Sequence, residues 1–450
     1  MTAGLSLDRP TITIDLAAIR HNWRAVASRY QGRHIGAVVK NDAYGLGAAH
    51  VVPLLSSLGC SDFWVDHFQA ALDVRRIVPT GRVFVLNGLA GADAARCRTH
   101  DIVPVLVDER ELQLASADAR QHGPLKVAVH LDSGLTRVGL DAAAVSRLIA
   151  RPDLLHGLDV MAWVTHLGRF ADPDATENVE QRARFVTWTD RLPRAARSIA
   201  TSSCVFADRG WHMDMARVGS ALYGVDTTPS TPQGLMPAAT LSAPVLRVAT
   251  VPAGTEIGYA GSFRTPRACT VATLAIGYGD GLPFALANCG QVALAGGLAP
   301  VVGGVSMGLI TVDVTALGEG RVQPGMHAVL FGADLRLEQV AATAGMAPNA
   351  LLVACASQAH RRYVGRDASD AAGAVTGAGA VAVAMIGTDA VQRPIARADE
   401  VTVADTTADD DSDVDAGVIA DADANAHPDA DPRVRSAAGR HAQAMSKEAS

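Results

Sequence analysis

The chain has 450 residues, 49% of them hydrophobic with few aromatics, and a formal net charge of −7 at pH 7. That length exceeds one ordinary domain and leads us to expect two or three. The mild acidity argues against a nucleic-acid or anionic-membrane partner, and six scattered cysteines without a C-x-x-C pair or metal-ligand spacing read as reduced thiols, with no metal site expected.

At the N-terminus, Asp8, Arg9 and Pro10 follow no basic region or apolar run, so no signal peptide is expected. Asp15 is a candidate N-cap for an amphipathic helix over residues 16–28, and a second helical pattern covers 68–77. β-Rich runs fall at 34–39, 62–65, 83–86, 103–107, 126–131, 158–164, 197–201 and around 217–223. Roughly eight strand–helix repeats suggest an N-terminal (β/α)8 TIM barrel over residues 1–235, lead-in included. Periodicity alone leaves a doubly wound sheet open.

From about Leu241 the texture changes. Short strands are expected at 245–251, 270–276, 291–294, 299–305, 311–314 and 327–331, separated by turn residues. They define a C-terminal β-rich domain over residues 236–365. Residues 366–450 are dominated by Ala, Asp, Val, Thr and Gly and have no aromatic side chain. Such a tail is expected to be disordered. Its apolar stretch at 371–387 is shorter than the roughly 20 strongly apolar residues a membrane span needs. The protein is therefore expected to be cytoplasmic, with no membrane partner.

Lys40 ends the first apolar strand, in AVVKNDAYGLG. At the C-terminal end of a barrel strand it points toward the face where such barrels place their sites. Apolar surroundings favour the neutral amine needed to attack a carbonyl. From spacing alone, a surface lysine closing a strand remains an equal reading.

AVVKNDAYGLG resembles the cofactor motif of the alanine racemase family, usually written AVVKADAYGHG. The similarity continues through ITIDLAAIRHNW, HLDSGLTRVGL, VTHLGRFADP, MARVGSALYG, VPAGTEIGYAGSFR, AIGYGDGLP and GGVSMGLITVDVT, in family order. The resemblance implies the same barrel-plus-β-domain architecture and pyridoxal 5'-phosphate as cofactor. It also implies a small amino-acid substrate and a head-to-tail homodimer with two composite sites.

Carried over by position, the resemblance makes Lys40 the cofactor-bearing lysine and the base on one face of the substrate's Cα. Tyr259 becomes the base on the opposite face, contributed by the partner subunit; racemisation needs one group to remove the α-proton and another to donate from the other side. Arg217 matches the arginine facing the pyridine nitrogen. A guanidinium donates a hydrogen bond but does not give up its proton, which makes the cofactor a weaker electron store and suits simple proton exchange. His166 matches the histidine beside the ring. Tyr44, Ser203, Gly219, Ser220 and Tyr363 match the phosphate-binding group, with backbone donors at Gly219 and Ser220. Arg137, Tyr278 and Met307 match the substrate-binding positions. Taken singly, several of these have blander readings, among them a turn tyrosine, a core histidine and a salt-bridging arginine.

Two departures stand out. The family's Met-Asp is Met307-Gly308 here, which removes a carboxylate and leaves space for side chains larger than methyl, such as that of serine or 2-aminobutyrate. His130 stands where many members carry a carbamylated lysine that holds the substrate arginine, so Arg137 needs another means of orientation. Leu46 and Ser202 are milder changes, for histidine and asparagine. Activity on alanine is the leading expectation, and another small or polar amino acid is the alternative. A non-catalytic cofactor carrier generally lacks the second domain. A decarboxylase of related fold uses an acidic partner for the ring nitrogen, where this chain has Arg217.

Overall fold

The computed structural model of the protein describes residues 6, 8–89, 93–169, 171–172, 174–228 and 234–365. The tail expected at 366–450, with its apolar stretch at 371–387, lies outside the described residues.

Eight parallel strands form the barrel: β2 (His34–Val38), β3 (Asp62–Val65), β4 (Arg82–Val85), β5 (Ile102–Leu106), β6 (Leu125–His130), β7 (Leu158–Val164), β8 (Ala196–Ser198) and β9 (Met215–Val218). They pair in chain order, and β9 returns to lie beside β2. Between β8 and β9 the wall is completed by Arg217 N–H to Ala200 O at 2.9 Å and Ser198 Oγ to Met215 O at 2.8 Å. A barrel, not an open doubly wound sheet, is the outcome.

β3, β5 and β9 are buried along their whole length, and β4 and β6 at all but one position, so apolar residues dominate these strands. Inside, Trp64 stacks on Phe84 with ring centroids 4.1 Å apart, among Val103, Val105, Ala128, Ala162 and Val164. Outside, helices such as Ala48–Ser57, Phe68–Ile77 and Glu109–His122 cover the wall. Asp15 caps the helix Leu16–Arg29 by accepting from the Ala17 and Ala18 amides.

The second domain is built on β10 (Ala239–Val251), which pairs antiparallel with β13 (Cys269–Leu274) and β17 (His327–Phe331). A small hairpin joins β11 (Glu256–Ile257) to β12 (Phe263–Arg264). The sheet is extended by β14 (Gln291–Leu294), β15 (Gly297–Pro300) and β16 (Ile310–Asp313). The strand expected at 299–305 starts and stops earlier, as β15, because Gly303 adopts φ +84° and turns the chain. Two helices, Leu337–Thr343 and Pro348–Gln358, also belong to this region and were not anticipated.

The sheet's remaining strands come from the segments before the barrel and after the helix Pro348–Gln358. β1 (Thr11–Asp15) pairs antiparallel with β10 and parallel with β18 (His360–Val364). The lead-in to the barrel is thus a strand of the second sheet, with Ile12 and Ile14 fully buried. Among the described residues, no single helix is long and apolar enough to cross a membrane.

Candidate active site

The residues of interest gather at the C-terminal ends of the barrel strands, where this architecture places its chemistry. Val39 N–H bonds Trp64 O at 2.8 Å and ends the β2 ladder, and Lys40 follows directly. Residues 41–44 then all adopt positive φ, between 49° and 58°, and Gly45 continues the left-handed turn at +83°. Left-handed backbone costs an L-residue with a Cβ roughly 1–2 kcal/mol, so the turn must be held from outside. Asp42 Oδ1 accepts the Ala48 N–H at 2.7 Å and its Oδ2 pairs with Arg361 Nη1 at 2.5 Å. The Lys40 amine is half-buried. Burial lowers its pKa, the Arg137 charge adds to that, and Asp66 opposes both.

Arg217 is 5% exposed. Its Nη1 donates to Ser198 O at 2.8 Å and Ser198 Oγ at 2.6 Å, and its Nη2 to Thr165 O at 2.6 Å. Its guanidinium carbon lies 5.6 Å from the centroid of the Trp64 ring. Burial brings its pKa down to about 10, which still leaves it charged at neutral pH. Among the described residues no carboxylate pairs with it.

The two histidines nearby are neutral. Burial, then the charges of Arg217, Arg137 and Lys40 and the neighbouring His130, take His166 down to about 3. Burial and Arg217 take His130 down to about 4. His130 Nδ1 is buried without a hydrogen-bond partner.

Arg137 has an exposed side chain, and its position is set by the loop that carries it. Asp132 Oδ1 accepts three amides, those of Gly134, Leu135 and Thr136, each at 3.0 Å. Asp132 N–H and Leu140 O, at 2.9 Å, and Leu140 N–H and His130 O, at 2.8 Å, close the loop's base. The loop that carries Arg137 is thus fixed at its backbone by the Asp132 carboxylate and the paired amides, and among the described residues no hydrogen bond or ion pair reaches the Arg137 side chain. Asp132 was not singled out beforehand, although Asp followed by Ser-Gly is turn chemistry.

The expected phosphate-binding residues fall together. Tyr44 packs on Tyr223, with ring centroids 4.7 Å apart, and burial pushes its phenol up to about 12. A Cβ at Gly219 would lie 2.4 Å from the Tyr44 hydroxyl, so only glycine permits this approach. The Gly219 amide, expected as a free backbone donor, bonds Ser202 Oγ at 3.2 Å, and Ala221 N–H joins it at 3.1 Å. Ser203 Oγ lies 3.4 Å from Thr201 Oγ1. Tyr363 donates to Leu46 O at 3.0 Å, with its ring 3.9 Å from His50. Ser220 Oγ accepts from Asn349 Nδ2 at 2.8 Å. Asn349 lies in the second domain, and no motif marked it.

Tyr259, Tyr278 and Met307 are elsewhere on the chain's surface, in the second domain. Tyr278 N–H bonds Ser306 O at 2.9 Å, and Gly279 N–H bonds Met307 O at 2.8 Å. A Cβ on Gly258 would approach Gly304 N to 3.3 Å, which sets the Tyr259 turn beside the same segment. Tyr259 is 81% exposed. Among the described residues, no hydrogen bond joins these three side chains to the group around Lys40.

Barrel and site together define a two-domain protein organised around a half-buried lysine and arginines that pair with no carboxylate among the described residues. Residues 14–227 match the family model described as alanine racemase, N-terminal domain, and residues 238–363 the one described as alanine racemase, C-terminal domain. The chain belongs to the alanine racemase family. It is 38% identical to the alanine racemase of Acidiphilium cryptum over 339 residues, covering 75% of this chain and 94% of the relative. To the alanine racemase of Brucella canis it is 35% identical over 368 residues, covering 78% and 93%. Among solved structures it resembles alanine racemase from Bartonella henselae with covalently bound pyridoxal phosphate, at TM-score 0.76 and 31% identity, covering 79% of this chain and 99% of that one.

Proposed function

We propose that this chain is a pyridoxal-phosphate-dependent racemase that interconverts L- and D-alanine. The observation that carries the reading is the half-buried Lys40, its amine pKa lowered by burial and by Arg137, together with the buried Arg217, which pairs with no carboxylate among the described residues and acts, as Lys40 does, on His166. The residues present fit the cofactor. A neutral amine suits covalent attachment to an aldehyde. Arg137 and Arg217 supply positive charge that an anionic group would balance. Tyr44 and Ser203 offer hydroxyls and Ser220 its backbone N–H for a phosphate, Tyr363 borders the same turn through its bond to Leu46 O, and Arg217 would face the ring nitrogen.

When bound, the cofactor supplies an electron-withdrawing system that acidifies the substrate's Cα–H. The chain's own residues do the rest. Arg137 binds the substrate carboxylate. Lys40 moves a proton at Nζ on one face of Cα, and Tyr259 of a second copy moves one at its phenol oxygen on the other. His166 and His130, held neutral, add no positive charge at working pH. The barrel of strands β2 to β9 holds the cofactor, and the domain over 236–365 gives Tyr259, Tyr278 and Met307 to the partner's site. We infer a cytoplasmic homodimer. The six cysteines are unpaired, in keeping with a reducing compartment.

The test is incubation of the cofactor-loaded protein with L-alanine in heavy water. D-alanine deuterated at Cα is expected, and Lys40→Ala is expected to lower the rate by about 10²–10⁴-fold. No deuterium at Cα from a protein that holds its cofactor overturns the alanine assignment.

One observation favours a second, wider substrate range: a Cβ at Gly308 would meet nothing within 4 Å. L-Serine and L-2-aminobutyrate are then expected to be racemised too. Rates about a thousandfold below that of alanine for both would refute this extension.

A further inference from the structure

Tyr259 stands in the turn of a small hairpin that has little to hold it. β11 and β12 pair only with each other, and an isolated two-stranded hairpin is marginally stable in water. Its turn adds strain, because Ala260 has a positive φ of 56°. One support is apolar: Ile257 and Phe263 pack with Val271 and Val302. Glu256 and Arg264 pair at 2.5 Å, but that bond lies within the hairpin. Among the described residues, one hydrogen bond ties residues 256–264 to anything outside 252–265. Asn288 Nδ2 donates to Ser262 O at 3.2 Å.

The other end of the same amide reaches the segment that leads to Met307. Asn288 Oδ1 accepts the Gly303 N–H at 2.7 Å. A carbonyl faces the amide nitrogen and an N–H faces its oxygen, so the partners themselves set the side chain's orientation. Gly303 in turn lies against the hairpin, since a Cβ on it would come within 2.9 Å of Ile257 O. Asn288 does this from a backbone φ of 60°, a conformation that asparagine tolerates better than most residues. One side chain thus clamps the hairpin to the segment beside it.

We infer, on the reading of Tyr259 as one of the two bases, that Asn288 is a positioning residue that fixes the hairpin and so sets where the Tyr259 phenol stands. A displacement of about 1 Å at a reacting group can lower its rate on the order of 10²-fold. Lys40 sits in the barrel and is not touched by the clamp. Proton traffic on the two faces of Cα should then come apart. In heavy water Lys40 takes the α-proton at Nζ and, after that amine exchanges with solvent, returns a deuteron to the same face, so configuration is kept. Inversion needs Tyr259 on the opposite face.

The test incubates cofactor-loaded full-length protein with each enantiomer of alanine in heavy water. It compares inversion with deuterium gained at retained configuration. Asn288→Gly keeps the positive φ and removes both side-chain bonds. Inversion is expected to slow about tenfold or more. Exchange with retention, for the enantiomer whose Cα–H faces Lys40, should stay within about twofold. The ratio of the two then falls about tenfold, and Tyr259→Phe should move it the same way. A general loss of structure would lower both rates alike. Amide hydrogen exchange reads the clamp without any chemistry: peptides covering 256–264 and Gly303 should exchange faster in Asn288→Gly, and barrel peptides should not change. Asn288→Asp keeps an acceptor for Gly303 N–H and loses the donor to Ser262 O, so the hairpin peptide alone should loosen. An unchanged ratio, or unchanged exchange over 256–264, would overturn the inference. Tyr259→Phe with the wild-type ratio would instead remove Tyr259 from the chemistry, and amide exchange alone would then decide whether Asn288 anchors the hairpin.

Discussion

His130 replaces a residue that the family often uses as an anion, and its surroundings make it the opposite of one. The imidazole is 6% exposed, its Nδ1 has no partner, and burial with the Arg217 charge holds its pKa at about 4, down from 6.5. Between those values an unfolded chain binds a proton that the folded chain does not. Its contribution is therefore fully present above about pH 6.5 and is lost as pH falls toward 4. At pH 5 the loss attributable to this residue is about 2 kcal/mol. His130→Gln removes the titration, so the fall in melting temperature between pH 7 and pH 5 should become shallower in the variant. An acid slope identical to that of wild type would show that His130 does not carry this term. The sequence disclosed that the residue was unusual here; burial and the absence of a partner needed the fold, because Gly139, Asp132 and Arg217 meet His130 only once β6 and β9 are placed.

The turn after Lys40 was legible as a motif and illegible as a conformation. Asn, Asp and Gly within AVVKNDAYGLG mark a turn, but Ala43 and Tyr44 have no preference for positive φ, and tertiary contacts impose it. Those contacts come from far along the chain: Arg361 and Tyr363 on β18, and the helix Pro348–Gln358. Asp42 is the local anchor, tolerant of left-handed backbone and bonded to Ala48 N–H and Arg361. Its carboxylate is half-exposed, so the ion pair adds little by itself and the amide bond carries more. Asp42→Ala should cost about 1–2 kcal/mol by chemical denaturation, through the lost hydrogen bond and the added strain. Asp42→Asn should stay near wild type, because asparagine accepts the same amide bond and tolerates the same φ. Equal loss in both variants would assign the effect to the charge instead.

At the scale of the molecule, the barrel could be read from its strand–helix repeats, since most of the parallel strands carry a short run of apolar residues. The second sheet was read less completely. Its adjoining strands β1 and β18 come from segments far apart in the chain, with Thr11 paired beside His360, about which local pattern is silent. Of the site, Lys40 alone was marked by its place at a strand end; His166 and Arg217 came from the family resemblance, and they lie just after β7 and within β9. Tyr259, Phe284 and Met307 pose a different problem, because each is more than 60% exposed. Large apolar side chains clustered at a surface mark an interaction site. If the surface is the face of a two-fold dimer, each site takes Lys40 from one copy and Tyr259 from the other. Lys40→Ala and Tyr259→Phe should then be severely impaired alone. After dissociation and reassociation of an equal mixture, half of the dimers are mixed and each has one intact site, so about a quarter of wild-type activity should return. Differently tagged copies make the mixed dimer separable, and its activity can be measured directly. If the isolated mixed dimer is as inactive as its parents, the two residues do not work across the interface. Restored activity would require Tyr259 to act in a site that its own chain does not form.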